Sequence, residues 1–375
     1  MICLVPNCGF LSAASRMLEI HRALRERGAG VRIAAHRGTY EWVLRDAGVE
    51  YDLLEGGEAD YLREFRTRAV VTGGAAAALQ SSRLAGIPLV SIDAGAWVPP
   101  MWERGLLPLP FEPLGIPFER WVPRPLRRRM FNDRVRSGAW PQGERADLTL
   151  VTDVPELLGI TATAIDGWRP RDPAAARGGT RLKLVGPILA HIDLPVPERV
   201  ERLLAGPRPI VYIAITSTEP GLVRAAVGAL RPLGARILVA GTVDDLAGLE
   251  DDQVAVEGVL PSHLILPRVD LAVIAGDQGS VQAALAAGVP FVGLPLGREQ
   301  HLNVALAERA GAARAIAPPL AATPELTTAA RELMTVPRHR AGAERLRDAY
   351  ARGDGPGRAA DAIIDLASGV AVHPG

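Results

Sequence analysis

Short apolar runs that end in a glycine-bearing turn and lead into an amphipathic helix recur along the chain. The clearest unit is Val273 to Asn303, VIAGDQGSVQAALAAGVPFVGLPLGREQHLN, which reads as buried strand, turn, helix, Gly-Val-Pro, second strand and polar loop. Uninterrupted apolar strands alternating with helices specify a parallel sheet with helices on both faces, because every crossover must return over the sheet.

Two such series follow one another. The first opens with a strand at Met1 to Pro6, a loop from Asn7 to Ser12 and a helix near Ala13 to Arg27. Gly28 ends that helix and the next strand is Val31 to Ala35. TYEWVLRDAG (helix), VEYDLL and AVVTGG (strands), AAAALQSSRLAG (helix) and IPLVSID (strand) continue it, and after an interruption come LTLVTDVPELLG and LKLVGPI. The polar, proline-rich HIDLPVPE reads as a linker. The second series runs from RPIVYIAIT through ARILVAG, VAVEGVLP and LAVIAG to PFVGLP, and a last helix, Arg358 to Ser368, follows a Gly-Asp-Gly-Pro-Gly break. The expected domains are 1–190, a linker at 191–207, 208–355, and a C-terminal helix and tail at 356–375. A chain of 375 residues suits two cores. The stretch from Ala96 to Trp140 is rich in Pro, Trp and Arg and is expected to be an insertion with short helices that could cover a site. Its RPLRRR run reads first as a solvated helix face.

Charge narrows the partners. Lys and Arg number 42 and Asp and Glu 42, so the field that attracts nucleic acid is missing. Cys3 and Cys8 are too few for a disulfide framework or a structural zinc site, and Cys3 is expected to be a small core residue. MICLVPN lacks the basic start and apolar length of a secretion signal, and no uncharged apolar run reaches a membrane-spanning length of about 20 residues. The expected location is the cytoplasm. A homo-oligomer remains open.

Against this background, VEGVLPSHLILPRVDLAVIAGDQGSVQAALAAGVPFVGLPLGREQHLNVALAERAGAA resembles the donor-binding half of the GT-B nucleotide-sugar glycosyltransferases. In pattern it is most similar to the natural-product and antibiotic enzymes and to the cell-wall N-acetylglucosaminyltransferase type. VPNCGF with SRMLEIHRALRERGAGVRIA, and DVPELLG with LKLVGPI, resemble the same family's earlier segments. The resemblance implies an α/β fold of GT-B type, with two Rossmann-like doubly wound domains facing across a cleft. It also implies transfer of a sugar from a nucleotide sugar to a small acceptor, with inversion and without a metal or other cofactor. A glycine turn at a helix N-terminus offers free N–H groups and the positive end of the helix dipole to a diphosphate. On this resemblance Gly276, Asp277, Gln278, Gly279 and Ser280 form the diphosphate turn, Ser217 assists from the first strand of this half, and Glu299, Gln300 and Asn303 hold the sugar. The plainer readings are that Ser280 is a helix N-cap and that Glu299 to Asn303 cap the next helix. The sequence departs from the family pattern at Ala275, where a His is usual, at Asp277, whose carboxylate would repel a diphosphate, at Ala283, where an acid is common, and at Thr216 and Ser217.

The catalytic base is also altered. Relatives often carry a Gly-His in the loop after the first strand, where this chain reads GFLSAAS, so that the nearest counterpart is Ser12 or Ala13. His21 falls inside the first helix. The remaining candidates are Asp93, after PLVSI, and His36, after VRIAA, with Asp133 in the insertion behind them. Two other readings stand beside transfer: a GT-B fold that has lost transfer and binds or converts a non-nucleotide ligand, and, more remotely, a nucleotide-sugar 2-epimerase. No Gly-x-Gly-x-x-Gly follows either opening strand, which argues against a nicotinamide cofactor.

Overall fold

A computed structural model describes residues 1–56, 58–74, 76–107, 123, 126, 146–169, 181–215, 221–241 and 246–369. The chain forms two compact units. In the first, the order is β1 Ile2–Val5, α1 Leu11–Glu26, β2 Val31–Ala35, α2 Trp42–Asp46, β3 Tyr51–Leu53, α3 Glu58–Glu64 and β4 Ala69–Thr72. It continues with α4 Ala76–Ala85, β5 Leu89–Asp93, α5 Pro99–Glu103, β6 Leu148–Val151, α6 Pro155–Leu158, α7 Ala162–Asp166 and β7 Arg181–Leu184. The second unit contains α8 Glu198–Leu204, β8 Ile210–Ala214, α9 Leu222–Leu230, β9 Arg236–Ala240, β10 Val254–Glu257, α10 Ser262–Ile265 and β11 Leu271–Ile274. It ends with α11 Gln278–Ala286, β12 Phe291–Gly293, α12 Arg298–Arg309, β13 Ala313–Ala315, α13 Pro324–Thr335 and α14 Pro337–Ala351. The last helix, α15 Gly355–Ala367, returns to the first unit.

Both sheets are wholly parallel and doubly wound, with orders β3-β2-β1-β4-β5-β6-β7 and β10-β9-β8-β11-β12-β13. The strands are apolar on both faces. On β1, Ile2 and Leu4 face a core with Met17, Ile20 and Leu24 of α1 and Ile363 of α15, while Cys3 and Val5 face a second core with Leu62 and Ala78. Each face is thus covered by helices, as sheets of continuous Val, Ile and Leu require. Val211 and Ile213 of β8 pack in the same way against Val223 and Val227 of α9. Cys3 is buried, and burial pushes its thiol up to about 12. The fold is that of GT-B, two Rossmann-like units in one chain.

Several local boundaries differ from the sequence reading. α1 begins at Leu11, with Phe10 in extended conformation before it, so Ser12 lies in the first helical turn and not in the preceding loop. α3 fills a stretch that carries no clear apolar period, GEADYLREF, and escaped the reading. α15 begins inside the Gly-Asp-Gly-Pro-Gly break, because Asp354 Oδ1 accepts the Gly357 N–H at 2.8 Å and makes the break an N-cap. The docking of α15 on α1 includes an Arg27–Asp361 ion pair. Of the proline- and tryptophan-rich insertion the structure describes α5 and a few neighbouring residues. The RPLRRR run and Asp133 lie mainly outside the described residues. Among the described residues no helix is long and apolar enough to cross a membrane.

Candidate functional site

In a doubly wound sheet the crossovers leave from opposite faces where the strand order reverses, and the crevice beyond the strand ends at that point collects ligands. In the second unit this point lies between β8 and β11. β8 leads into residues 216–220, so Thr216 and Ser217 fall outside the described residues. β11 leads directly into Ala275, Gly276 and Asp277 and then into α11. The methyl group of Ala275 is packed in the core of the second unit, not presented to solvent.

Gly276 has φ +97°, and a Cβ there would overlap Val304 Cγ2; a Cβ on Gly293 would meet the same side chain. The two glycines therefore let α12 approach the ends of β11 and β12. That approach brings the sequence-predicted donor residues together. Asn303, buried, donates through Nδ2 to the Gly276 carbonyl at 3.2 Å and to Glu299 Oε1 at 3.3 Å. Glu299 Oε1 in turn accepts the Gln278 N–H at 3.3 Å.

The turn itself is capped by Asp277, so the plainer reading of Ser280 as N-cap does not hold. Asp277 Oδ2 accepts the Ser280 N–H at 3.0 Å, and Ser280 Oγ donates to Asp277 Oδ1 at 2.9 Å. Asp wins because it precedes the helix with extended geometry, whereas Ser280 is already in the helical first turn. Among the described residues the Gly279 N–H is left without an acceptor. Gln300 is buried, and its Oε1 accepts the N–H groups of Leu296 at 2.7 Å and Gly297 at 2.8 Å, so this side chain caps α12. Ala283, in the middle of α11, offers no polar group.

In the first unit the reversal lies between β1 and β4. Asn7, two residues beyond β1, donates to the Gly74 carbonyl beyond β4 at 3.2 Å and bridges the crevice. The sequence reading passed over it, although a polar residue directly after the first strand is the signal. Ser12 uses its carbonyl to accept Arg16 Nε at 3.2 Å. Asp93 ends β5, the strand next to β4, and is only partly buried. Ser91 Oγ donates to its Oδ2 at 3.0 Å, and Ser91 Oγ and Thr149 Oγ1 are 3.0 Å apart. Desolvation pushes the Asp93 carboxyl up from the ordinary carboxylate range, and the Ser91 hydroxyl and the field of Arg16 draw it partly back.

His36 follows β2, and its Nε2 lies 3.2 Å from Oε2 of Glu58, a buried carboxylate on the unforeseen α3. Three strand spacings separate β2 from β5, about 14 Å at 4.8 Å per strand, so His36 and Asp93 cannot serve one reacting hydroxyl together. His21 is half-buried in α1, and burial lowers its pKa, as for a packed helical residue.

The fold is of GT-B type, with a glycine turn at the carboxyl end of the second sheet. Comparison with known proteins agrees. No protein-family model matches the chain. It is 28% identical over 288 residues to a PGL/p-HBAD biosynthesis glycosyltransferase of Mycobacterium tuberculosis, covering 72% of this chain and 64% of that protein. It is 31% identical over 260 residues to 4'-demethylrebeccamycin synthase of Lentzea aerocolonigenes, covering 66% of this chain and 56% of the relative. The chain thus spans 64% or less of the length of these relatives. Among solved structures, the glycosyltransferase VinC in complex with dTDP shares its fold with a TM-score of 0.68 at 15% identity, over 98% of this chain and 100% of that one. In sequence the chain is similar to these glycosyltransferases, and in fold to the VinC structure.

Proposed function

We propose that this chain transfers a sugar from a nucleoside-diphosphate sugar to a hydroxyl of a small, natural-product-like acceptor, with inversion and without a metal. The observation that carries this reading is the convergence of a glycine turn, a helix N-terminus, Glu299 and Asn303 at the switch point of the second sheet. The relatives' names, which speak of PGL/p-HBAD biosynthesis and 4'-demethylrebeccamycin, support the acceptor class.

In this scheme the acceptor oxygen bonds to the anomeric carbon as its proton passes to Asp93. The bond from that carbon to the diphosphate breaks, with its electron pair going to the phosphate oxygen. Asp93 suits the base role because desolvation raises its basicity while the residue as a whole is only half-buried. The Gly279 N–H and the α11 dipole meet the charge that develops on the leaving group. Glu299 and Asn303, fixed by their contacts with the turn, orient the sugar.

One observation favours a second reading. Asp277 and Glu299 already satisfy two N–H groups that a diphosphate would use, as a chain that binds an uncharged ligand at this turn would have them. A calorimetric and thermal-shift screen against UDP, dTDP, GDP, ADP and their sugars separates the two. Transfer requires that at least one nucleotide bind and raise the melting temperature by mass action. A folded protein that binds none of them sustains the second reading.

A further inference from the structure

We propose that Thr149 and Ser91 form a two-hydroxyl relay that positions the Asp93 carboxylate, engaging Oδ2 and leaving Oδ1 for the acceptor hydroxyl. The inference rests on the reading of Asp93 as base and adds two positioning residues to it. Ser91 and Asp93 are two apart on β5 and so share one face of the sheet, and Ser91 pairs in register with Thr149 on β6. Proton count fixes the direction of the relay. A serine hydroxyl has one hydrogen; because an ionised carboxylate only accepts, Ser91 gives that hydrogen to Asp93 Oδ2 at 3.0 Å. The contact of 3.0 Å between Ser91 and Thr149 must then be donated by Thr149, whose side chain is buried.

The neighbours leave this task to the two hydroxyls. From β4, the Thr72 hydroxyl donates to the Val5 carbonyl at 3.1 Å. Just beyond β6, Thr152 donates through its N–H and its hydroxyl to the Asp93 backbone carbonyl, each at 3.2 Å. Asp153 beyond it accepts the N–H of Val154 at 3.0 Å. From α1, Arg16 reaches Asp93 through its field. Among the described residues Ser91 alone hydrogen-bonds the Asp93 carboxylate, and Oδ1 is left unengaged.

The test is a carbon-13 carboxyl NMR titration of the full chain, with the Asp93 resonance assigned by its loss in Asp93→Asn. A bond donated to the carboxylate favours the ionised form. Ser91→Ala should therefore move the Asp93 titration to higher pH, Thr149→Val should move it the same way by less, and Ser91→Thr, which keeps the hydroxyl, should restore it. Turnover of dTDP-glucose and UDP-glucose with benzyl alcohol supplies the second readout, with the acid limb of kcat/KM moving in step with the titration. An Asp93 titration unchanged in a folded Ser91→Ala overturns the relay and leaves the base reading standing. Full turnover in Asp93→Asn overturns the base reading and the relay with it.

Discussion

The carboxyl ends of the two sheets are built alike and dispose of their acids in opposite ways. Each sheet reverses its strand order beside its first strand and opens a crevice there. In the first unit Asp93 keeps one carboxylate oxygen unengaged among the described residues. In the second, Asp277 and Glu299 are consumed in holding the turn. The difference follows from what comes after the strand. β5 leads into a single 3-10 turn, Gly95–Trp97, whereas β11 leads within three residues into a helix of nine residues. A helix start exposes backbone N–H groups that need acceptors, and nearby carboxylates are drawn in as caps. An acid survives as a candidate base where no helix start competes for it.

The largest expected effect tests the free acid. Asp93→Asn keeps the shape and the Ser91 contact but cannot take a proton, so turnover should fall about 10²- to 10⁴-fold. If a nucleotide binds at the other sheet, its affinity should stay within about a factor of two of wild type. Steady-state kinetics beside calorimetry measure both. A variant that loses nucleotide binding as well would break the comparison, because the two ends would then not act separately.

Next comes the turn on which the second site is built. Gly276→Ala forces a side chain to φ +97° and against Val304, which should cost about 2–4 kcal/mol in chemical denaturation. A loss well below 1 kcal/mol would mean that α12 can retreat, and that the contacts of Glu299 and Asn303 with the turn are not rigidly set.

How much of this the sequence could reveal depends on the range of the interaction. Strands such as Val31–Ala35 and the glycine stop at Gly28 are local and periodic, and they stand where the sequence predicts them. Gly276, Glu299 and Asn303 were legible as a set because their spacing follows a family pattern. The orientation of those side chains was not. That Glu299 turns to the Gln278 N–H depends on the approach of α12, and this approach depends on the bulk of Val304 fitting over two glycines far apart in sequence. Glu58 and Thr149 were invisible for the same reason, since each acquires its partner only across strands or between a strand and a helix. Ser217 belongs to residues outside those described.

A smaller effect should come from Glu299. Glu299→Ala removes the oxygen that the Gln278 N–H and the Asn303 amide share, for about 1–2 kcal/mol of stability and roughly tenfold in sugar-dependent turnover. Glu299→Gln keeps an acceptor oxygen for the turn. It should restore the stability while recovering turnover only in part, if the negative charge itself acts on the sugar. Equal recovery of both by Gln would reduce Glu299 to a structural cap and sharpen the contrast with Asp93.

The smallest effect concerns the residue that most separates this turn from its family pattern. Asp277→Gly removes a cap, and since glycine is itself tolerated at that position the stability cost should be only a few tenths of a kcal/mol, about 0.3. The same change frees the Ser280 N–H, leaves the Ser280 hydroxyl only its 3.1 Å contact with the backbone carbonyl of Asp277, and removes a carboxylate from the α11 terminus. A phosphate charge roughly 5 Å from that carboxylate would be repelled by about 3 kcal/mol at an effective dielectric near 20, most of it screened where the turn is open to water. What survives screening should show as a several-fold gain in affinity for UDP or dTDP by calorimetry, with Asp277→Asn, which keeps the cap, giving the part due to charge alone. Weaker binding in the glycine variant would mean that the cap itself shapes the diphosphate site. Asp277 would then be a working part of the second end.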